Sequence, residues 1–131
     1  MFDLLMINDT HIKSGIELIA YTILKTQGDI LMELGRFNRA IKAYKTLKDF
    51  LHDWGQPFQY LKMKTFEQIA VAYRTVNMNL AAVMYYKKAL MIAWVLKDNV
   101  HELSYYERLS MVYMNLGDTK RMADYHTRAT H

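Results

Sequence analysis

Apolar residues recur every three or four positions along most of the chain, and short polar or glycine-bearing stops cut the pattern at regular intervals. That is the period of an amphipathic helix. The first apolar segment, Phe2–Ile7, is short and ends at Asn8-Asp9-Thr10, a stop-and-cap signature. A longer helix then runs from about Ile12 or Ser14 to Leu34, with Ile16, Ile19, Ile23, Leu24, Ile30, Leu31 and Leu34 on its buried side. The next runs from Phe37 to about Asp53 and is closed by Trp54-Gly55-Gln56-Pro57, where Pro cannot continue a helix but can start one. Four more are predicted at about Phe58–Val76, Leu80–Lys97, Val100–Leu116 and Thr119–Ala129. The fourth main helix carries Val83, Tyr86, Ala89, Leu90, Ala93, Trp94 and Leu96, Asp98-Asn99 breaks it, and Asp118 is positioned to cap the last. The expected architecture is all-α: about six main helices plus a short N-terminal one.

These helices pair into a repeat. Gly28 aligns with Ala70 and Ser110, Leu31 with Tyr73 and Tyr113, and Leu24 with Phe66 and Tyr106. The turn at Leu34-Gly35-Arg36 aligns with Val76-Asn77-Met78 and Leu116-Gly117-Asp118. Beyond the turn, Ala40 matches Ala82 and Met122, Tyr44 matches Tyr86 and His126, and Leu47 matches Ala89 and Ala129. The period is 42 residues and then 40. Gly and Asn at the turns are the residues that tolerate a left-handed helix stop.

The order of large, small and large residues, a Gly-containing turn, a small residue, an aromatic and a small residue resembles the tetratricopeptide repeat (TPR) over roughly residues 16–130. Since that repeat is usually about 34 residues long, the longer period implies helices extended by about a turn each. This is similar to the long-helix repeats of kinesin light chains, the Pins/LGN scaffolds and rapsyn. The middle repeat, with Phe66, Ala70, Tyr73, Ala82, Tyr86 and Ala89, matches most cleanly, and the third departs at Met122, where the family has Ala. The resemblance implies a helical-hairpin solenoid, a right-handed superhelix of three repeats at 12–54, 55–98 and 99–131 within one domain, 1–131. Residues 1–11 are either a native N-terminal cap or the stump of a preceding repeat. The apolar Phe2, Leu4, Leu5, Met6 and Ile7 favour the stump, because a cap shows a polar outer face.

Composition narrows the function. The 131 residues are 52% hydrophobic with one Pro and five Gly, which fits a packed helical domain. There is no Cys, hence no disulfide framework, thiol nucleophile or thiolate metal site; that is compatible with the cytoplasm. Net charge is +4, with basic residues scattered apart from Lys42, Lys45 and Lys48, which read as a solvated face rather than a nucleic-acid site. No apolar run reaches the ~18 residues of a membrane span. The histidines show no HExxH and no i, i+4 pairing, and His126 occupies a core-facing position. No phosphate loop, dinucleotide fingerprint or nucleophile elbow occurs, so no catalytic, metal or cofactor-binding residue is assigned. The ten Met and ten Tyr fall at helical spacing and read first as core, then as interface.

A concave groove lined by the first helix of each repeat is what the resemblance implies for binding. Its residues would be Thr22, Lys25, Asp29, Met32 and Glu33; then Lys64, Glu67, Val71, Arg74 and Thr75; then Ser104, Glu107, Arg108, Met111, Met114 and Asn115. Lys25 and Arg108 match the carboxylate clamp of chaperone-binding members, but Asp29, Val71 and Ser104 do not, and Asp29 would repel a terminal carboxylate. The mixed-charge, Met-bearing face fits an amphipathic or mixed-charge segment instead. The expected function is a non-catalytic protein-interaction module, a segment of a larger cytoplasmic scaffold or adaptor, with neither nucleic acid nor membrane as partner. The alternatives are a regulatory domain of a multidomain enzyme, or self-association through the ends of the array. The final helix, Lys120–His131, is followed by no solvating helix, so the ends should continue into further repeats or form a homodimer.

Overall fold

The computed structural model describes the backbone of residues 2–52 and 58–130, and the side chains of residues 15–51 and 58–130. Six helices follow one another: α1 (Phe2–Glu33), α2 (Phe37–His52), α3 (Gln59–Thr75), α4 (Asn79–Leu96), α5 (Asn99–Asn115) and α6 (Thr119–Thr130). Each packs chiefly on its neighbours in sequence, so the chain is a helical-hairpin solenoid of α1–α2, α3–α4 and α5–α6. The turn within each hairpin is closed at the aligned position. Gly35, Asn77 and Gly117 take φ of 75°, 63° and 76°. The next residue's N–H then reaches back to a carbonyl five residues earlier: Arg36 to Leu31 at 2.9 Å, Met78 to Tyr73 at 2.9 Å and Asp118 to Tyr113 at 3.0 Å. These are Schellman closures, which satisfy carbonyls the helix leaves open. Lys97 makes the same left-handed stop between hairpins, at φ 55°, and Asp98 begins α5 by accepting from the His101 backbone N–H at 3.1 Å. Asp118 caps α6 as the sequence suggests, accepting from Arg121 N at 3.0 Å.

The core runs along the seam of the hairpins. Ala40, Ala70, Ala82, Ala89 and Ala93 let helices approach, and Tyr44, Met63, Ile69, Tyr86, Tyr105, Leu109 and Val112 fill between them. At Gly28 the approach is closest, since a Cβ there would run into the Tyr44 ring.

Three expectations are corrected. The stop at Asn8–Thr10 is absent: α1 is one helix of 32 residues. Asn, Asp and Thr each disfavour a helix by only about 0.6 kcal/mol relative to Ala, too little to break one without Gly or Pro. Of the seven residues expected on the buried side of α1, Leu24 and Leu31 are partly buried, while Ile16, Ile19, Ile23, Ile30 and Leu34 are exposed. The stripe points away from α2, the principal neighbour of α1. His126 is exposed, not in the core, and α6 has no fully buried residue. Tyr86, its counterpart, is covered by Tyr105 of the next hairpin at 6.5 Å between ring centroids, whereas no described helix covers His126. The Trp54–Pro57 stop lies outside the described residues.

Candidate partner-binding groove

The first helices lie side by side. Tyr21 and Lys25 of α1 share a small cavity with Lys64, Thr65 and Gln68 of α3, and Tyr105 of α5 donates to Glu67 Oε1 of α3 at 2.8 Å. Tyr60 of α3 meets the His101 ring of α5 edge-on at 5.6 Å. Residues from all three helices are thereby brought to one surface.

Two self-contained charge pairs occupy that surface. Lys25 Nζ sits 2.7 Å from Asp29 Oδ2, and Tyr44 Oη donates to the other Asp29 oxygen. Lys64 Nζ sits 3.0 Å from Glu67 Oε2, and Glu67 is buried. Burial, and then the bond to a carboxylate, pushes the Tyr44 and Tyr105 hydroxyls well above the ordinary phenol range, so both stay protonated donors. The Asp29 hydrogen bond raises Lys25. Four of the groove candidates thus spend their charge on each other. Met32 and Val71 are also partly committed, packing against the core.

The remaining candidates face outward to different degrees. Glu33, Glu107, Met111, Met114 and Asn115 are exposed, with Thr22 and Thr75, while Arg74, Arg108 and Ser104 are half-buried. The Arg108 guanidinium lies 6.0 Å from the centroid of the Tyr86 ring, and among the described residues it has no carboxylate within ion-pair distance. The Tyr86 hydroxyl beside it is buried and makes no hydrogen bond of good geometry among the described residues, although it lies close to the Arg108 guanidinium. The α5 end of the surface therefore combines a cation without a carboxylate at ion-pair distance, a buried hydroxyl beside it and two exposed methionines. Sequence alignment of Tyr44 with Tyr86 and of Asp29 with Val71 carried the signal for that orphaned hydroxyl: the acceptor of the first repeat is missing from the second. Among the described residues no three His, Cys, Asp or Glu side chains converge as metal ligands, and no helix is long and apolar enough to cross a membrane.

Residues 26–49 match the family model described as tetratricopeptide repeat. Among solved structures, the chain is similar to the TPR domain of Arabidopsis FLU, with a TM-score of 0.71 at 17% identity over 88% of this chain and 93% of that one. It is also similar to BtubC (BKLC) from P. vanneervenii, with a TM-score of 0.70 at 18% identity over 81% of this chain and 42% of that one. The chain therefore spans less than half of BtubC. At these identities the likeness is one of fold. Comparison with curated proteins finds no match.

Proposed function

We propose that this chain, which carries a tetratricopeptide repeat at residues 26–49 and folds as TPR solenoids do, is a non-catalytic interaction module within a larger cytoplasmic scaffold or adaptor. TPR repeats generally mediate protein–protein interaction. The partner is an amphipathic or mixed-charge segment lying across α1, α3 and α5. The observation that carries this reading is the α5 surface, where Met111 and Met114 are exposed next to Arg108, the cation without an ion-pair partner among the described residues. Met offers an adaptable apolar contact, and a half-buried Arg that lacks a carboxylate favours a partner bringing one. The subclass with long helices is part of the same proposal, since α1, α3 and α5 each span at least 17 residues.

A displayed peptide library selected on the chain tests it. Selected sequences should carry an acidic residue beside apolar positions at helical spacing, and Arg108→Gln or Met111→Glu should weaken their binding strongly while leaving helicity unchanged. Binders indifferent to both substitutions would move the site off this surface. Reversing Lys25 is a poorer probe, because Lys25→Glu would set two carboxylates against each other at Asp29 and disturb the Tyr44 bond as well.

A further inference from the structure

We propose that the outer surface of the second helices, α2, α4 and α6, docks an acidic, partly apolar segment of another protein. This surface is independent of the groove on α1, α3 and α5.

Charge is divided between the two sets of helices. α2, α4 and α6 carry nine Lys or Arg and two Asp, whereas α1, α3 and α5 carry six Lys or Arg and eight Asp or Glu. One of the two Asp, Asp49, already pairs with Lys48 at 3.3 Å. The positive excess of the chain thus belongs to the second helices.

Its placement is repeated rather than scattered. In the second hairpin the Tyr73 and Tyr85 rings stack at 5.7 Å between centroids. Lys45 Nζ of α2 lies 5.1 Å from the Tyr73 centroid, and Lys88 Nζ of α4 lies 5.4 Å from that of Tyr85. One repeat later the Tyr113 and Tyr125 rings stack at 5.6 Å. Lys87 of α4 lies 5.7 Å from Tyr113, and Arg128 of α6 lies 5.3 Å from Tyr125. Lys87 and Arg128 are the alignment counterparts of Lys45 and Lys88. Each stacked pair therefore holds one cation from its own hairpin and one from the hairpin before, which brings α2, α4 and α6 to one surface. Among the described residues none of the four cations has a carboxylate within ion-pair distance. A ring face attracts a cation without cancelling its charge, so the row stays positive and favours a partner that supplies carboxylates.

The side chains between the cations select the kind of partner. At 3.6 residues per turn Leu80, Met84, Lys87, Lys88, Met91 and Val95 fall on one face of α4, and all six are exposed. Four are apolar and none is acidic. A phosphate backbone would leave those four unmatched, and Tyr73, Tyr85 and Tyr113, which could otherwise stack on bases, are buried in the seams. An anionic bilayer would need the apolar strip to continue onto the neighbouring helices. At the counterparts of Leu80, Lys88 and Met91, α2 instead exposes Asn38, Thr46 and Asp49, and α6 exposes Asp124 at the counterpart of Met84. A polypeptide that mixes carboxylates with apolar residues matches both components of the surface.

Fluorescence anisotropy on the 131-residue chain tests the proposal, with a labelled amphipathic peptide of Glu and Leu as the probe. Binding should saturate and weaken as salt rises. Lys45→Gln with Lys88→Gln should raise the dissociation constant about fivefold or more. Lys45→Arg with Lys88→Arg keeps the charge over the rings and should bind as wild type does. Lys62→Gln with Arg74→Gln removes the same charge from α3 and should change the affinity by no more than about twofold. Absence of saturable binding, no loss with the Lys45 and Lys88 Gln pair, equal loss with the α3 pair, or a loss with the Arg pair as large as with the Gln pair would each overturn it. So would tighter binding of a single-stranded oligonucleotide or of phosphatidylserine vesicles than of the peptide. Sensitivity to Arg108→Gln in place of the Lys45 and Lys88 pair would assign the peptide to the groove, and would likewise overturn it.

Discussion

Tyr44 and Tyr86 stand at the same position one repeat apart, both buried to within 1%, yet their hydroxyls meet opposite circumstances. Tyr44 donates to Asp29. Val71 replaces that carboxylate in the second repeat, and the Tyr86 hydroxyl is left beside the Arg108 guanidinium without a hydrogen bond of good geometry among the described residues. Removing a hydrogen bond to a charged acceptor and removing an unsatisfied buried hydroxyl differ in sign. Tyr44→Phe should therefore lower unfolding free energy by about 1–2 kcal/mol, the lower part of the range for charged acceptors because Asp29 is partly exposed. Tyr86→Phe should stay within about 0.5 kcal/mol of wild type or stabilise. Urea unfolding of the two variants checks the contrast, and equal losses would mean that Tyr86 has a partner after all. Asp98 carries a pH dependence. The His101 backbone N–H it accepts holds its carboxyl below the ordinary range, with its side-chain contact to His101 adding to this. A depressed folded-state pKa means that the cap stabilises fully above the ordinary Asp value of about 3.9 and loses that contribution as pH falls through the lower folded value. Asp98→Ala should cost about 0.5–2 kcal/mol at neutral pH. The gap to wild type should close in acid, below about pH 4, in unfolding curves recorded at a series of pH values.

At the scale of the helix pair, packing depends on which positions are small. Ala82 is wholly buried where α4 meets α3, so Ala82→Leu should force the pair apart at about 1–3 kcal/mol of overpacking, seen as a lower thermal midpoint. Gly28→Ala gains about 1 kcal/mol of helix propensity but drives its Cβ into the Tyr44 ring; the net effect should be destabilising, and a stabilised variant would show that the ring yields. Such positions were legible in the sequence because small residues, left-handed stops and aromatic positions repeat together: Gly35, Asn77 and Gly117 share positive φ, and apart from the start of α1 the helices begin and end within about two residues of the pattern. The outward stripe of α1 was not legible. Leu24 and Ile23 are adjacent and equally apolar, and periodicity alone gives two apolar faces without saying which one a neighbour covers. The groove was legible as a set of helix positions but not as chemistry. The sequence lists Lys25, Asp29, Lys64 and Glu67 as available charges, and only the structure shows them paired internally, with Glu67 drawn inward by Tyr105 from another repeat. Interactions that cross from one hairpin to the next have no short-range signature.

For the whole molecule, stability in a solenoid is close to a sum over hairpins and the interfaces between them, because each touches only its neighbours. The α3–α4 hairpin has a partner on both sides, and its helices contribute Met63, Ile69, Ala70, Ala72, Ala82, Tyr86, Ala89 and Ala93, all fully enclosed. The outer helices are different. Gly28 is the one buried residue of the described part of α1, and α6 has none. Local opening should therefore be graded along the array rather than uniform. Amide exchange in α4 around Ala82–Ala93 should require global unfolding, whereas α6 should exchange by fraying at much lower free energy. Native-state hydrogen exchange at rising urea separates the two. Convergence of α6 amides with α4 amides only near the unfolding midpoint would support the gradient. The same protection in α6 and α4 without denaturant would mean that the three hairpins open as one unit and that nearest-neighbour summation fails for this chain.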